Sequence, residues 1–245
     1  MIRQLLKKRR KFILVDINTQ RDFFQTGSRA CIKNHKKVLA NVRRMIAWAR
    51  HNNIHVISTC QVYPNSNGGS AMGYCIDGTD GQKKIRYTLL NQRASFVADG
   101  STDLPFDVLR QYRQVILHKR CVDPFEEPRI ERLLSEVFAE NFVLIGNGAE
   151  NAVMATALGL LHRGKNVTVV VDAVGSLDKD GAKLAFRKMK AKGARLIETR
   201  KLAGTSHLRP VSYTHLRAHE TVLNLVCRLL LEKKKKLLSH LSSSS

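Results

Sequence analysis

An alternating α/β fold, with a mostly parallel sheet covered by helices on both faces, is predicted by three observations. Short apolar runs rich in β-branched residues recur along the chain. Longer stretches with apolar residues at helical spacing lie between them. Gly and Pro mark several of the junctions. Strands that alternate with helices are joined by crossovers, and crossovers make neighbouring strands parallel.

Phe12-Ile13-Leu14-Val15 reads as a first, buried strand. Val38, Val42, Met45, Ile46 and Ala49 put one apolar stripe on a helix from Asn34 to Arg50. Ile54 to Ser58 is a second strand, and Tyr63 to Gly69 has loop chemistry. Val115 to Leu117 is a third strand. Pro128, suited to a first helical turn, opens a helix to Val137. Val143 to Ile145 is a strand, followed by a helix to Arg163 that stops at Gly164. Val167 to Val171 is a β-branched strand. Lys179 to Lys192 is a helix halted by Gly193, and Arg195 to Glu198 is the last of six strands.

The chain has 245 residues and a formal net charge of +22. One domain is expected at residues 11–204, behind a basic arm at 1–10 and ahead of a tail at 205–245 that does not read as natural protein. Val211 to Lys236 resembles translated sequencing-adapter DNA, with Val-Ser-Tyr-Thr-His-Leu-Arg-Ala-His-Glu-Thr at its start. The other reading is a basic amphipathic helix using Leu223, Val226, Leu229 and Leu230. Without Val211 to Ser245, 36 basic and 18 acidic residues remain, a net +18. The charge therefore belongs to the domain, and it suits anionic substrates or nucleic acid at a basic surface. Cys31, Cys60, Cys75 and Cys121 form no C-x-x-C pair, which suggests reduced thiols and a cytoplasmic location. The apolar run after Lys7 to Lys11 is too short for a signal-peptide core or a membrane span.

Four segments carry candidate chemistry. Leu14-Val15-Asp16-Ile17-Asn18-Thr19-Gln20-Arg21-Asp22-Phe23-Phe24 resembles the motif V-D-x-Q-x-D-F, with two extra residues before Gln20. Cys75-Ile76-Asp77-Gly78-Thr79-Asp80-Gly81 resembles C-x-x-G-T-x-G. Lys119-Arg120-Cys121-Val122-Asp123-Pro124-Phe125 resembles K-R-x-x-S-A-F. Gly146-Asn147-Gly148-Ala149-Glu150-Asn151-Ala152-Val153-Met154-Ala155-Thr156-Ala157 resembles G-x-x-T-x-x-C-V-x-x-T-A, with Ala149 for Thr and Ala152 for Cys. Together they resemble the isochorismatase-like cysteine hydrolases over about Lys11 to Leu202.

That resemblance implies a three-layer α/β/α, Rossmann-like domain with a six-stranded sheet, and a site beyond the carboxyl ends of the strands. It implies Asp16 as catalytic acid/base and Lys119 as the lysine beside it. Ala152 occupies the nucleophile position, where a methyl group cannot attack. Phe23, Phe125, Asn147, Gly148 and Ala149 are the implied substrate contacts. Backbone N–H groups of that turn would form an oxyanion hole, and a cis peptide would fall at Asn147–Gly148. Asp22 is expected to orient its loop. The nicotinamidase branch binds a metal through D-x-H, but the aligned residues here are Gln61 and Tyr63, so no catalytic metal and no cofactor are expected. The family also implies association between copies of the chain.

Three functional readings stay open. One is a hydrolase of a small molecule, with anionic ones suited by the basic surface, acting on an amide, ester or vinyl ether through Asp16 and Lys119. The second moves the nucleophile to Cys121, which shares a strand face with Lys119. The third is a non-catalytic member that binds a ligand, nucleic acid or partner.

Overall fold

A computed structural model describes residues 10–65 and 73–204. The basic arm short of Arg10, most of the Tyr63 to Gly69 loop and the whole 205–245 tail lie outside the described residues. Seven strands, β1 (Arg10–Ile17), β2 (His55–Gln61), β3 (Arg93–Phe96), β4 (Gln114–Lys119), β5 (Ala139–Asn147), β6 (Val167–Gly175) and β7 (Arg195–Ile197), form one sheet in the order β3-β4-β2-β1-β5-β6-β7. Every neighbouring pair is parallel. The helices are α1 (Arg21–Phe24), α2 (His35–His51), α3 (Val108–Gln111), α4 (Pro128–Glu136), α5 (Ala152–His162), α6 (Lys179–Ala191) and α7 (Arg200–Ala203).

All six expected strands are present, and β3 is a seventh. It pairs only with β4 at the sheet edge, in register Arg93↔Gln114 to Phe96↔Leu117. Arg93 and Ser95 are exposed while Ala94 and Phe96 are half-buried. An edge strand buried on one side needs no apolar run, so the pattern that revealed the others was missing here.

The sheet separates two cores. Ile13, Val15 and Ile17 of β1 pack with Ile130 and Leu134 of α4, Val153 and Leu160 of α5, and Met189 of α6. Leu14 points the other way and packs with Val143 and Ile145 of β5 and Val42, Met45 and Ile46 of α2. This alternation is the period-two rule acting on a strand buried on both faces. It makes three layers, with α4, α5 and α6 on one face and α2 on the other. The Asp178 carboxylate caps α6 by accepting from Asp180 N and Gly181 N, both at 3.0 Å. Gly164 ends the α5 turn at φ 67°, in the left-handed region.

Connections from β1 lead to β2 on one side, while β5 lies on its other side. Such a reversal of strand order opens a crevice at the carboxyl ends of the strands. Asp16 lies at that end of the sheet, fully buried, one residue from the end of β1. Among the described residues no helix is long and apolar enough to cross a membrane.

Candidate active site

Asp16 follows Leu14 on the α2 face of β1 and is fully buried. Its Oδ2 accepts from Lys84 Nζ at 2.7 Å and from Ser58 Oγ at 3.1 Å. Lys84 is itself buried and also donates to Thr19 Oγ1 at 2.6 Å. Ser58, opposite Asp16 on β2, accepts from Gln114 Nε2 at 2.9 Å. The second carboxylate oxygen, Oδ1, is buried and has no partner. Asn147 Oδ1, at the end of neighbouring β5, is likewise buried without a partner. Native interiors leave few polar atoms in that state, and those left over concentrate where function needs them.

Lys119 does not sit against this carboxylate. Its Nζ donates to Gln61 Oε1 at 2.5 Å, Cys121 O at 2.8 Å and Val122 O at 3.1 Å. An ammonium has three donors, so all three are in use. The reason lies in strand parity: Lys119 follows Val115 and Leu117 on the α4–α5 face, whereas Asp16 follows Leu14 on the α2 face. Burial lowers the Lys119 pKa to about 8. The lysine beside Asp16 is therefore Lys84, which the sequence reading missed. Its partner lies 68 residues away in the chain, and nothing local distinguishes it from the other basic residues.

Ala152 opens α5 and is buried in the α4–α5 core. In the turn before it, the Gly148, Ala149 and Asn151 amides are already bonded. Gly148 N and Ala149 N both donate to Gly175 O at 3.0 Å. Ala152 N donates to Asn151 Oδ1 at 2.6 Å, and Val153 N to Gly148 O at 2.8 Å. The Gly148 and Ala149 amides are thus taken up, because β6 runs on to Gly175 and brings a carbonyl over the turn. The expected cis peptide at Asn147–Gly148 is trans.

Phe23 is buried and meets Tyr74 edge-on at 5.5 Å. Phe125 lies away from the strand tips. Its ring packs against Gly159 in α5, with the Arg163 guanidinium 3.9 Å above its centroid. Asp22 accepts from Cys75 N at 2.7 Å and Ser28 Oγ at 3.0 Å, which fixes the loop between them. Gln20 clamps the same region. Its amide donates to Gln61 O at 2.7 Å and Gln82 O at 2.8 Å and accepts from Gln61 N at 2.8 Å.

Among the described residues no thiol is activated at the cluster. Cys121 is exposed, and a hydrogen bond to Glu126 raises its pKa. Cys60 lies within the fields of Asp16, Lys84 and Lys119, but burial pushes its thiol up to about 11. The metal positions of the D-x-H pattern do not fit a cation either. Gln61 accepts from Lys119 and donates to Arg120 O at 2.9 Å, and Tyr63 packs edge-on to Tyr74 at 5.5 Å. Among the described residues no three His, Cys, Asp or Glu side chains gather as a metal site.

The family model described as Isochorismatase domain matches residues 12–201. Among solved structures, the pyrazinamidase of Pyrococcus horikoshii in complex with zinc is similar at 21% identity and TM-score 0.60, covering 77% of this chain and 99% of that one. An isochorismatase family protein from Desulfovibrio vulgaris is similar at 19% identity and TM-score 0.61, covering 79% and 96%. The N-carbamoylsarcosine amidase from Thermoplasma acidophilum is similar at 21% identity and TM-score 0.57, covering 77% and 96%. No curated protein matches the chain.

Proposed function

This chain belongs to the isochorismatase family, and from that premise we propose that it hydrolyses a small molecule without a thiol nucleophile, using Asp16 to handle the proton. The unpartnered Asp16 Oδ1 carries this reading. Its sister oxygen is held by Lys84 and Ser58, which fixes the carboxyl plane and leaves one acceptor for a substrate or a water. With a methyl group at Ala152, water is the nucleophile. Beside the Lys84 ammonium, Asp16 takes a proton from that water in amide or ester hydrolysis. A vinyl ether would instead need the carboxyl to deliver a proton to carbon. Lys84 thus fills the role that family resemblance gives Lys119, and Lys119 anchors the segment carrying Cys121 and Val122. The chain's positive charge suits an anionic substrate.

A screen of amide, ester and vinyl-ether substrates tests this on the full chain and on Asp16→Asn. Turnover by the wild type, reduced at least about 100-fold in the variant, is the expected result. Equal turnover by both would remove Asp16 from the chemistry.

One observation favours a second reading, a member that binds its ligand without turning it over. The Gly148 and Ala149 amides are already bonded to Gly175 O, so neither is free for an oxyanion. A screen compound that raises the Tm of the wild type while remaining unconsumed supports this alternative.

A further inference from the structure

A cavity of about 1090 Å³ opens at the end of the sheet opposite Asp16. Its walls come from the amino ends of β1, β2 and β5, the carboxyl ends of α2 and α4, and residues 104–110 leading into α3. Reaction sites in open α/β sheets lie at the carboxyl ends, so this cavity has no part in the hydrolysis.

Its lining combines charge with rings. Arg10, Lys11, Arg110, Arg113 and Arg132 face it, against the carboxylates of Asp107 and Glu136. Asp107 pairs with Arg110 at 3.2 Å and Glu136 with Arg132 at 3.3 Å. Among the described residues, Arg10 lies in the field of the Asp107 carboxylate without an ion pair to it, and Lys11 and Arg113 make no ion pair. Arg113 reaches only Asn53 Oδ1, at 3.2 Å. Lys11 lies over the Phe12 ring, 5.7 Å from its centroid. Arg10 Nε is buried with no acceptor, although a guanidinium N–H donates strongly. Phe106 and Phe138 on the rim are 72% and 55% exposed, and Trp48 adds a third ring. Lys165 already lies over the Phe138 ring, 5.7 Å from its centroid, whereas the Phe106 ring is open beside the Arg113 guanidinium, an unfavourable surface for water alone.

We propose that this cavity binds a nucleotide unit, with phosphate oxygens on Arg10, Lys11 and Arg113 and the base stacked on Phe106. Guanidinium groups match phosphate geometry, and an aromatic face stacks on any base. The volume is of the order that encloses a small ligand. The same chemistry is offered by a free nucleotide and by one residue of a single strand.

The test titrates the full chain with adenosine 5′-monophosphate, a labelled ten-residue oligouridylate and inorganic pyrophosphate. A base-bearing probe is expected to bind at least about tenfold more tightly than pyrophosphate, because stacking adds to charge. Oligouridylate at least about tenfold tighter than the mononucleotide identifies a strand as the source, and comparable affinities identify a free nucleotide. Phe106→Ala and Arg113→Ala are each expected to weaken binding about fivefold or more. Lys183→Ala, which removes a positive charge on α6, is expected to leave it unchanged. Phe106 is exposed and Arg113 half-buried, and an unchanged Tm separates lost binding from lost folding. Pyrophosphate binding as tightly as the nucleotides, no binding of either base-bearing probe, or full affinity in Phe106→Ala would overturn the proposal.

Discussion

Replacing Lys84 by Met would leave the Asp16 carboxylate buried with only Ser58 to hold it. Removing one partner of a buried ion pair costs about 3–5 kcal/mol, so Lys84→Met is expected to lose most of that in urea denaturation. The double variant Lys84→Met/Asp16→Asn should recover a large part of it. A double variant no more stable than Lys84→Met would show that the pair does not act as a unit. Lys119 has a pH signature of its own. Burial sets its folded pKa at about 8 against an ordinary 10.5. Between those values the unfolded chain holds the proton and the folded chain does not, so this group's contribution to stability rises with pH across that window. Below about pH 8 both states are protonated and its contribution is flat. Wild type is therefore expected to gain on Lys119→Met from pH 8 to 10.5, with buried thiols such as Cys60 common to both proteins. A constant difference over that range would refute the burial argument. At this scale local motifs in the sequence pointed to Asp16 and Ala152. They could not disclose Lys84, whose role exists only through a contact made across the fold.

The turn between β5 and α5 depends on Gly146. Its φ is 128°, and a Cβ there would collide with the Ile17 carbonyl of β1. Gly146→Ala is expected to cost more than about 3 kcal/mol or to prevent folding, since both the backbone conformation and a backbone atom oppose it. Thermal unfolding checks this, and a Tm within a few degrees of wild type would contradict the steric account. The central strands were legible because burial on both faces writes them as apolar runs, Phe142 to Ile145 being one. Edge strand β3 was illegible because half of its residues face water. The reach of β6 to Gly175 was also hidden. Val167 to Val171 reads plainly as strand, but the irregular register between Leu144 and Gly146 lets it continue and cover the turn.

For the whole molecule, residues 10–65 and 73–204 contain both cores and every strand of the sheet. A chain ending at Gly204 is accordingly expected to unfold in one cooperative transition with the Tm of the full chain, by calorimetry. A fall of more than about 5 °C would mean that the final 41 residues stabilise the domain. Layering and strand direction followed from the rhythm of strands and helices alone, because crossovers have few solutions. Strand order did not, since order is fixed by which faces meet. The position of Ala152 has a bearing on descent. It lies inside packed apolar residues at the head of a helix, where sulfhydryl and methyl are nearly interchangeable to the fold. Selection for folding is then blind at that site, and offspring of one ancestor can drop or regain sulfur chemistry while inheriting the same shape. Resemblance of form among such chains is no guide to which of them turn over a substrate.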